Sequence, residues 1–394
     1  MIHSRLDNLK FFAILHSRLP LVEFKYSLVI LILPISIFCI LFSPISHGNE
    51  DPDPSGVILQ YHHIADDTPP STSTSLEDFQ SHIQHLSHNN FSVWSLDKLV
   101  TTFKEGALKQ DQAIPERVVS ITFDDAFEDI YVNAWPLLRE LEWPFTLFIS
   151  SDSVGKKGFL NWDQISEMSL GGMTIANHTQ KHSHLMRKIG EENHEQWLKR
   201  IKEEIVNAEL EISRQIPSAA RMKLFAFPYG EYNTDILNLL KSLGYIGFGQ
   251  QSGAVGRNAN FLALPRFPLS GVYADLATFK IKARTLAMPL SPSTFVDPEL
   301  KIRNKRPSLK LIFTGEDYQF SKLSCYGPEG KMLIRKINKN TYLSKSSIDL
   351  PIGRSRYNCT MPATTSVEDG EAIYYWYSQL WIRKNNDGSW YPEH

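Results

Sequence analysis

Cysteine is nearly absent from this sequence, and so is any surplus of charge. There are three Cys in 394 residues, and 41 basic against 43 acidic side chains leave a formal net charge of -2. That balance excludes nucleic acid as an expected partner, since phosphate binding needs a basic stripe. Charge is also missing from residues 27–45, an apolar run interrupted by Pro34 and preceded by Lys10, Arg18 and Lys25. The run reads as a secretory signal with a long front, or as an uncleaved membrane anchor. Either places the chain outside the cytoplasm, periplasmic or extracellular. Cys39 lies inside the run, behind Phe38 where a lipoprotein signal needs a small residue, which argues against lipidation. Only Cys325 and Cys359 then remain; in an oxidising compartment they form one disulfide, otherwise two buried thiols, and both readings stay open.

The length suits two or three domains around a large core, with 42% hydrophobic and 21% charged residues. After a polar, Pro-rich linker ending near residue 55, strands alternate with helices. Strands are expected over 57–61, 118–123, 145–149, 173–176, 224–227 and 246–249. Helices are expected from Leu76, after Asp125, from Trp162 with Asn161 as cap, over 191–215 and over 235–243. In the first helix Phe79, Ile83 and Leu86 mark the inward face, and His82, His85 and His88 are expected on the solvated one. In the long charged helix Trp197, Ile201, Ile205, Ala208 and Ile212 point inward. This alternation implies a parallel sheet with helical crossovers. Closed into a barrel, such a sheet carries its working groups at the carboxyl ends of its strands.

Past residue 291 the texture changes. A polar, basic connector over 291–306 leads to short alternating runs at 309–314, 332–337, 372–376 and 379–383. The expected architecture is therefore α/β: a distorted (β/α) barrel over 56–290, then a small all-β sandwich over 307–394. Tyr374, Tyr375, Trp376 and Trp381 either line a sugar-binding face there or fill its core.

The chain is organised around Val118–Asp125, where six mostly β-branched or aromatic residues end in Asp124-Asp125. Adjacent Asp side chains leave the backbone in different directions, so one can bind a metal while the other handles protons; like charges this close need a cation or a hydrogen-bonded neighbour. Further on, His178 and His182 stand four residues apart, which on a helical turn puts both imidazoles on one side. Thirteen His in this length give such a pair roughly 0.4 times by chance, so the pair carries weight only beside the Asp pair. Together they make a candidate two-His, one-carboxylate site for a divalent cation, Zn²⁺ being the expected ion although others fit. His184 is a spare, either supporting the site or on the surface.

Thr122-Phe123-Asp124-Asp125, His178-Thr-Gln-Lys-His182 and Phe227-Pro228-Tyr229-Gly230 resemble, in order, the first three motifs of the NodB-like polysaccharide deacetylases, carbohydrate esterase family 4. The resemblance covers residues 55 to 290. With Leu59-Gln60-Tyr61-His62-His63 at its start, the chain is most similar to the exported deacetylases of poly-β-1,6-N-acetylglucosamine, in which the catalytic His lies on the first strand. The resemblance implies Asp125, His178 and His182 as metal ligands and Asp124 as general base. It further implies the Tyr229 N–H, beside Pro228, as oxyanion donor, and His62 as acid with His63 behind it. The implied substrate is an acetylated glycan, from which acetate leaves a free glucosamine unit. Ala226 stands where many members carry an Arg that steadies the base, and Arg266 is expected to substitute. The late Leu-x-His motif is absent, and residues 262–266 read Leu-Ala-Leu-Pro-Arg. Arg266, His63 and Trp162 are the candidate supporting residues. Two other readings remain: an O-acetyl esterase on acetylated glycans, and a carbohydrate-binding protein without turnover.

Overall fold

Strands Gly56–Tyr61, Val118–Asp124 and Phe145–Ile149 lie buried along their whole length. That is the pattern of parallel strands covered on both faces. The structure, a computed structural model, describes residues 53–105, 113–217, 221–363 and 372–392. The apolar run and Cys39 lie outside them. The described residues fall within one compact unit, Asn49–His394, and among them no helix is long and apolar enough to cross a membrane.

Gly56–Tyr61, Val118–Asp124, Phe145–Ile149, Thr174–Asn177, Leu224–Ala226 and Ile246–Phe248 follow one another across a parallel sheet in chain order. The sheet curls, and one segment joins its two flanks. Leu264 bridges Phe248 on the last strand, and three residues later Phe267 and Pro268 pair with Leu59 and Gln60 on the first. The join is tight: a Cβ on Gly247 would stand 2.0 Å from the Leu262 carbonyl oxygen, so that position has room only for glycine.

Helix His194–Gln215 packs on this sheet through Trp197, Ile201, Ile205, Ala208 and Ile212, all buried as their spacing predicts. It begins three residues later than expected because Asn193 and Gln196 form a reciprocal cap, each side chain serving the other's backbone N–H.

The His face of the first helix is a correction. In Leu76–His88, His82 and His85 are buried, because helix Leu276–Ala283 covers the side expected to meet solvent. His82 stacks on Phe279 at 3.9 Å between ring centroids, and its two ring nitrogens meet the Tyr61 hydroxyl and the Ala274 carbonyl.

Beyond the curled sheet, a five-stranded and a three-stranded sheet enclose a second apolar core containing Leu309, Leu311, Phe313, Tyr357, Tyr375 and Trp381. The two runs expected at 372–376 and 379–383 are one strand, Tyr374–Arg383, paired along its length with Gly353–Pro362. The turn between them is missing because the intervening Tyr377-Ser378 keeps the ladder unbroken. Cys325 and Cys359 face each other across neighbouring strands and are disulfide-bonded. Trp376 turns the other way and meets Phe267 of the joining segment edge-on. Within 291–306, Thr294 and Leu300 are buried, and Glu299 bridges to Ile382.

Candidate metal and catalytic site

Asp124 closes a strand buried along its whole length, and its carboxylate is cut off from solvent. A buried carboxylate survives only with partners. Arg266 supplies a two-pronged grip, Nη1 to Oδ1 and Nη2 to Oδ2, both at 2.7 Å. Gln60, from the neighbouring strand, donates to Oδ2 at 2.6 Å. The guanidinium is itself anchored, with Nε donating to the Gly249 carbonyl and its plane lying over the Phe148 ring. Burial alone would raise the Asp124 pKa, but the Arg266 charge and hydrogen bonds, with His178 and His62 nearby, hold it below the usual carboxylate range. His62 Nε2 lies 3.9 Å from Asp124 Oδ2, and burial pulls its pKa down.

Asp125 follows in a left-handed conformation (φ 72°), as does Ala126 (φ 61°), and this swings its side chain away from that of Asp124. Oδ1 of Asp125 lies 3.4 Å from His178 Nε2 and 3.2 Å from His182 Nε2. One ligand atom from each of the three residues falls within 4.8 Å of the others. Zinc bonds of roughly 2.1 Å in a tetrahedron separate their donor atoms by about 3.4 Å, so the observed spacings fit one shared cation. The His178 Nδ1–H donates to the Ala226 carbonyl at 2.8 Å, which fixes the tautomer and presents Nε2 to the site. Burial would raise Asp125; the His178 hydrogen bond and the imidazole charges instead push it far down. His182 falls to about 4 through burial and the neighbouring His178, which suits a neutral ligand.

The His pair does not ride on a helical turn. Residues 178–182 form a loop in which Thr179 (φ 70°) and His182 (φ 57°) are both left-handed, yet the two rings still meet at 4.9 Å. Local partners and one distant glutamate hold that loop. Asn177 accepts from the Thr179 N–H, Thr179 Oγ1 accepts from the His182 N–H, and Glu204 on the long helix accepts from the Lys181 N–H and Ser183 hydroxyl. Five of the seven described non-glycine residues with positive φ belong to this site: Asp125, Ala126, Thr179, His182 and Tyr229. Strain concentrated at one place marks a functional site.

Pro228 is buried, and the Pro228–Gly230 turn carries Tyr229 at φ 59°. Its ring lies flat on His184 at 3.8 Å and edge-on to His182 at 4.6 Å. His184 Nδ1 bonds Glu231 at 2.9 Å, so it sits beside the site with a buried partner. His63 is bound to Asp129 at 2.6 Å and stacked on Phe127, outside the three-ligand cluster. Trp162 opens helix Trp162–Leu170, half-buried against the main core. The sequence reading missed Gln60, Glu204 and Glu231. Gln60 left a trace, as the one amide in an apolar strand; the two glutamates left none, since charged residues on a helix or after a turn are ordinary.

The description "Polysaccharide deacetylase" belongs to the family model that matches residues 111–247. A Staphylococcus aureus (strain MRSA252) protein named poly-beta-1,6-N-acetyl-D-glucosamine N-deacetylase is 31% identical over 205 residues, covering 50% of this chain and 68% of its own. Two solved structures share the curled α/β sheet at a TM-score of 0.50, each covering 59% of this chain and 99% of its own. They are the Streptococcus pyogenes deacetylase PplD in complex with acetate, 20% identical, and IcaB from Ammonifex degensii, 19% identical.

Proposed function

This chain belongs to the polysaccharide deacetylase family, a family of hydrolases, and from that premise we propose that it removes N-acetyl groups from an N-acetylglucosamine polymer. The observation that carries the reading is the meeting of Asp125, His178 and His182 around one point, beside a separately clamped Asp124. In this reading the three ligands hold a divalent cation, with Zn²⁺ the best match to the donor set. When bound, such a cation supplies Lewis acidity, polarising the acetamide carbonyl and making water a stronger acid.

The chain's own groups do the rest. Asp124, kept ionised by Arg266, takes a proton from water as it attacks the carbonyl carbon. The Tyr229 N–H donates to the oxyanion that develops. His62, within 3.9 Å of Asp124, gives a proton to the departing sugar amine. Acetate and a glucosamine unit leave.

The curled sheet is read as a distorted barrel and the two C-terminal sheets as an all-β accessory unit. Export is the reading for location, because the Cys325–Cys359 disulfide suits an oxidising compartment. The test is acetate release from poly-β-1,6-N-acetylglucosamine, acetylated chitin oligomers and acetylxylan, with and without chelator. Chelator-sensitive release from the amide substrates supports the reading. Release from acetylxylan alone replaces it with an esterase, and no release from any substrate removes it.

A further inference from the structure

The Pro228–Gly230 turn is gripped from outside the curled sheet. Arg354, on strand Gly353–Pro362 of the C-terminal sheet, donates from Nη1 to the Tyr229 carbonyl at 3.3 Å, and its guanidinium lies over the Tyr229 ring at 5.6 Å. The same nitrogen lies 3.6 Å from Glu231 Oε1. Tyr391, near the C-terminal end of the described chain, donates its hydroxyl to that same oxygen. Glu231 Oε2 takes His184, whose ring in turn stacks on that of Tyr229 at 3.8 Å. Tyr229 is thus held at its carbonyl and over its ring by a residue 125 positions away in sequence, and by a histidine that Glu231 anchors. A left-handed tyrosine needs such support, since a side chain disfavours that backbone conformation and only surrounding contacts keep it there.

We propose that Arg354, on the C-terminal sheet, and Tyr391, beyond its last strand, act with Glu231 as an arm of positioning residues that holds Tyr229 in its left-handed conformation and so aims its N–H at the reacting carbonyl. The inference rests on the deacetylase reading above for its kinetic consequence, although the grip itself does not. The arm's polar contacts reach the Tyr229 carbonyl, Glu231 and His184 and none of the three candidate metal ligands, so turnover is expected to depend on it more than metal uptake does. The Arg354 side chain is partly exposed, which makes its removal tolerable to the fold.

The test compares the full-length parent with Arg354→Ala, Arg354→Lys and Tyr391→Phe, and measures Arg354→Ala again in a Tyr229→Gly background. Arg354→Ala is expected to lower kcat ten- to a hundred-fold, with KM within twofold and Co²⁺ affinity within threefold. Arg354→Lys recovers most of the loss, and Tyr391→Phe gives a smaller loss of the same kind. In the Tyr229→Gly background the effect of Arg354→Ala shrinks below threefold, because glycine adopts positive φ without help. Amide hydrogen exchange of residues 229–232 rises at least tenfold in Arg354→Ala. A kcat within threefold of parent, a parallel fall in Co²⁺ affinity, an undiminished loss in the Tyr229→Gly background, or unchanged exchange would each overturn the proposal. If the parent itself releases no acetate, the deacetylase reading fails, and the exchange measurement alone decides whether the arm holds the turn.

Discussion

Arg266 and Asp124 are 142 residues apart in the chain, yet both terminal nitrogens of one meet both oxygens of the other at 2.7 Å, and neither side chain touches solvent. Removing one partner of such a pair strands the other charge. Arg266→Ala is therefore expected to destabilise the fold by about 3–5 kcal/mol in urea unfolding. Without the guanidinium the Asp124 carboxyl rises, so the acid limb of the pH–rate profile moves to higher pH. An unmoved limb would show that Arg266 does not set the base.

Asp125→Asn leaves the two imidazoles without their anionic partner. We expect Co²⁺ or Zn²⁺ affinity and acetate release to fall together, by at least about a thousandfold in turnover, as loss of a directly bonded ligand should exceed the 10- to 100-fold typical of outer contacts. Glu204→Gln, which touches only the loop carrying His182, should cost about tenfold in metal affinity, read by competitive chelator titration.

His62→Asn removes the candidate acid and none of the three ligands. Turnover is expected to drop about 10²- to 10⁴-fold with metal affinity unchanged. A variant that turns over near the parental rate would take His62 out of the reaction.

His82 carries a stability signature of its own. Burial lowers its pKa from 6.5 to about 4, so the folded chain binds this proton less tightly than the unfolded chain does. The stability contributed by neutral His82 is intact above pH 6.5, declines as pH falls towards 4, and amounts to about 3 kcal/mol over that window. Urea midpoints between pH 4 and 7 should show this slope, and His82→Gln should flatten it.

The Cys325–Cys359 disulfide spans 34 residues of sequence within the second core. Closing a loop of that length stabilises by about 2–4 kcal/mol. A melt with reductant should lower the transition of the C-terminal sheets, and the Cys325→Ala, Cys359→Ala double variant should melt where the reduced parent does.

What could be read from the sequence divides along physical lines. Strand Phe145–Ile149 and the inward face of helix His194–Gln215 were legible because buried periodicity is a local property of the chain. Asp125, His178 and His182 could be singled out because candidate metal ligands come as few residue types, and the Asp pair and the His pair are each tightly spaced. Arg266 was legible only through a gap, Ala226 standing where an arginine is expected. The shape of the His178–His182 loop was not, since four-residue spacing suggests a helix while Asn177 and Glu204 impose left-handed turns. Burial of His82 depended on a helix nearly two hundred residues downstream. Arg354 and Tyr391 reach Glu231 only once two separate sheets are assembled, and no stretch of chain announces that meeting.

The segment 264–268 fastens the last parallel strand to the first, and its middle residue is the arginine that grips Asp124. Locking and arming are thus a single event. Until residue 266 is seated, Asp124 lacks the counter-charge that holds its pKa down. In the proposed reaction the base is therefore set only where the two flanks of the sheet are joined.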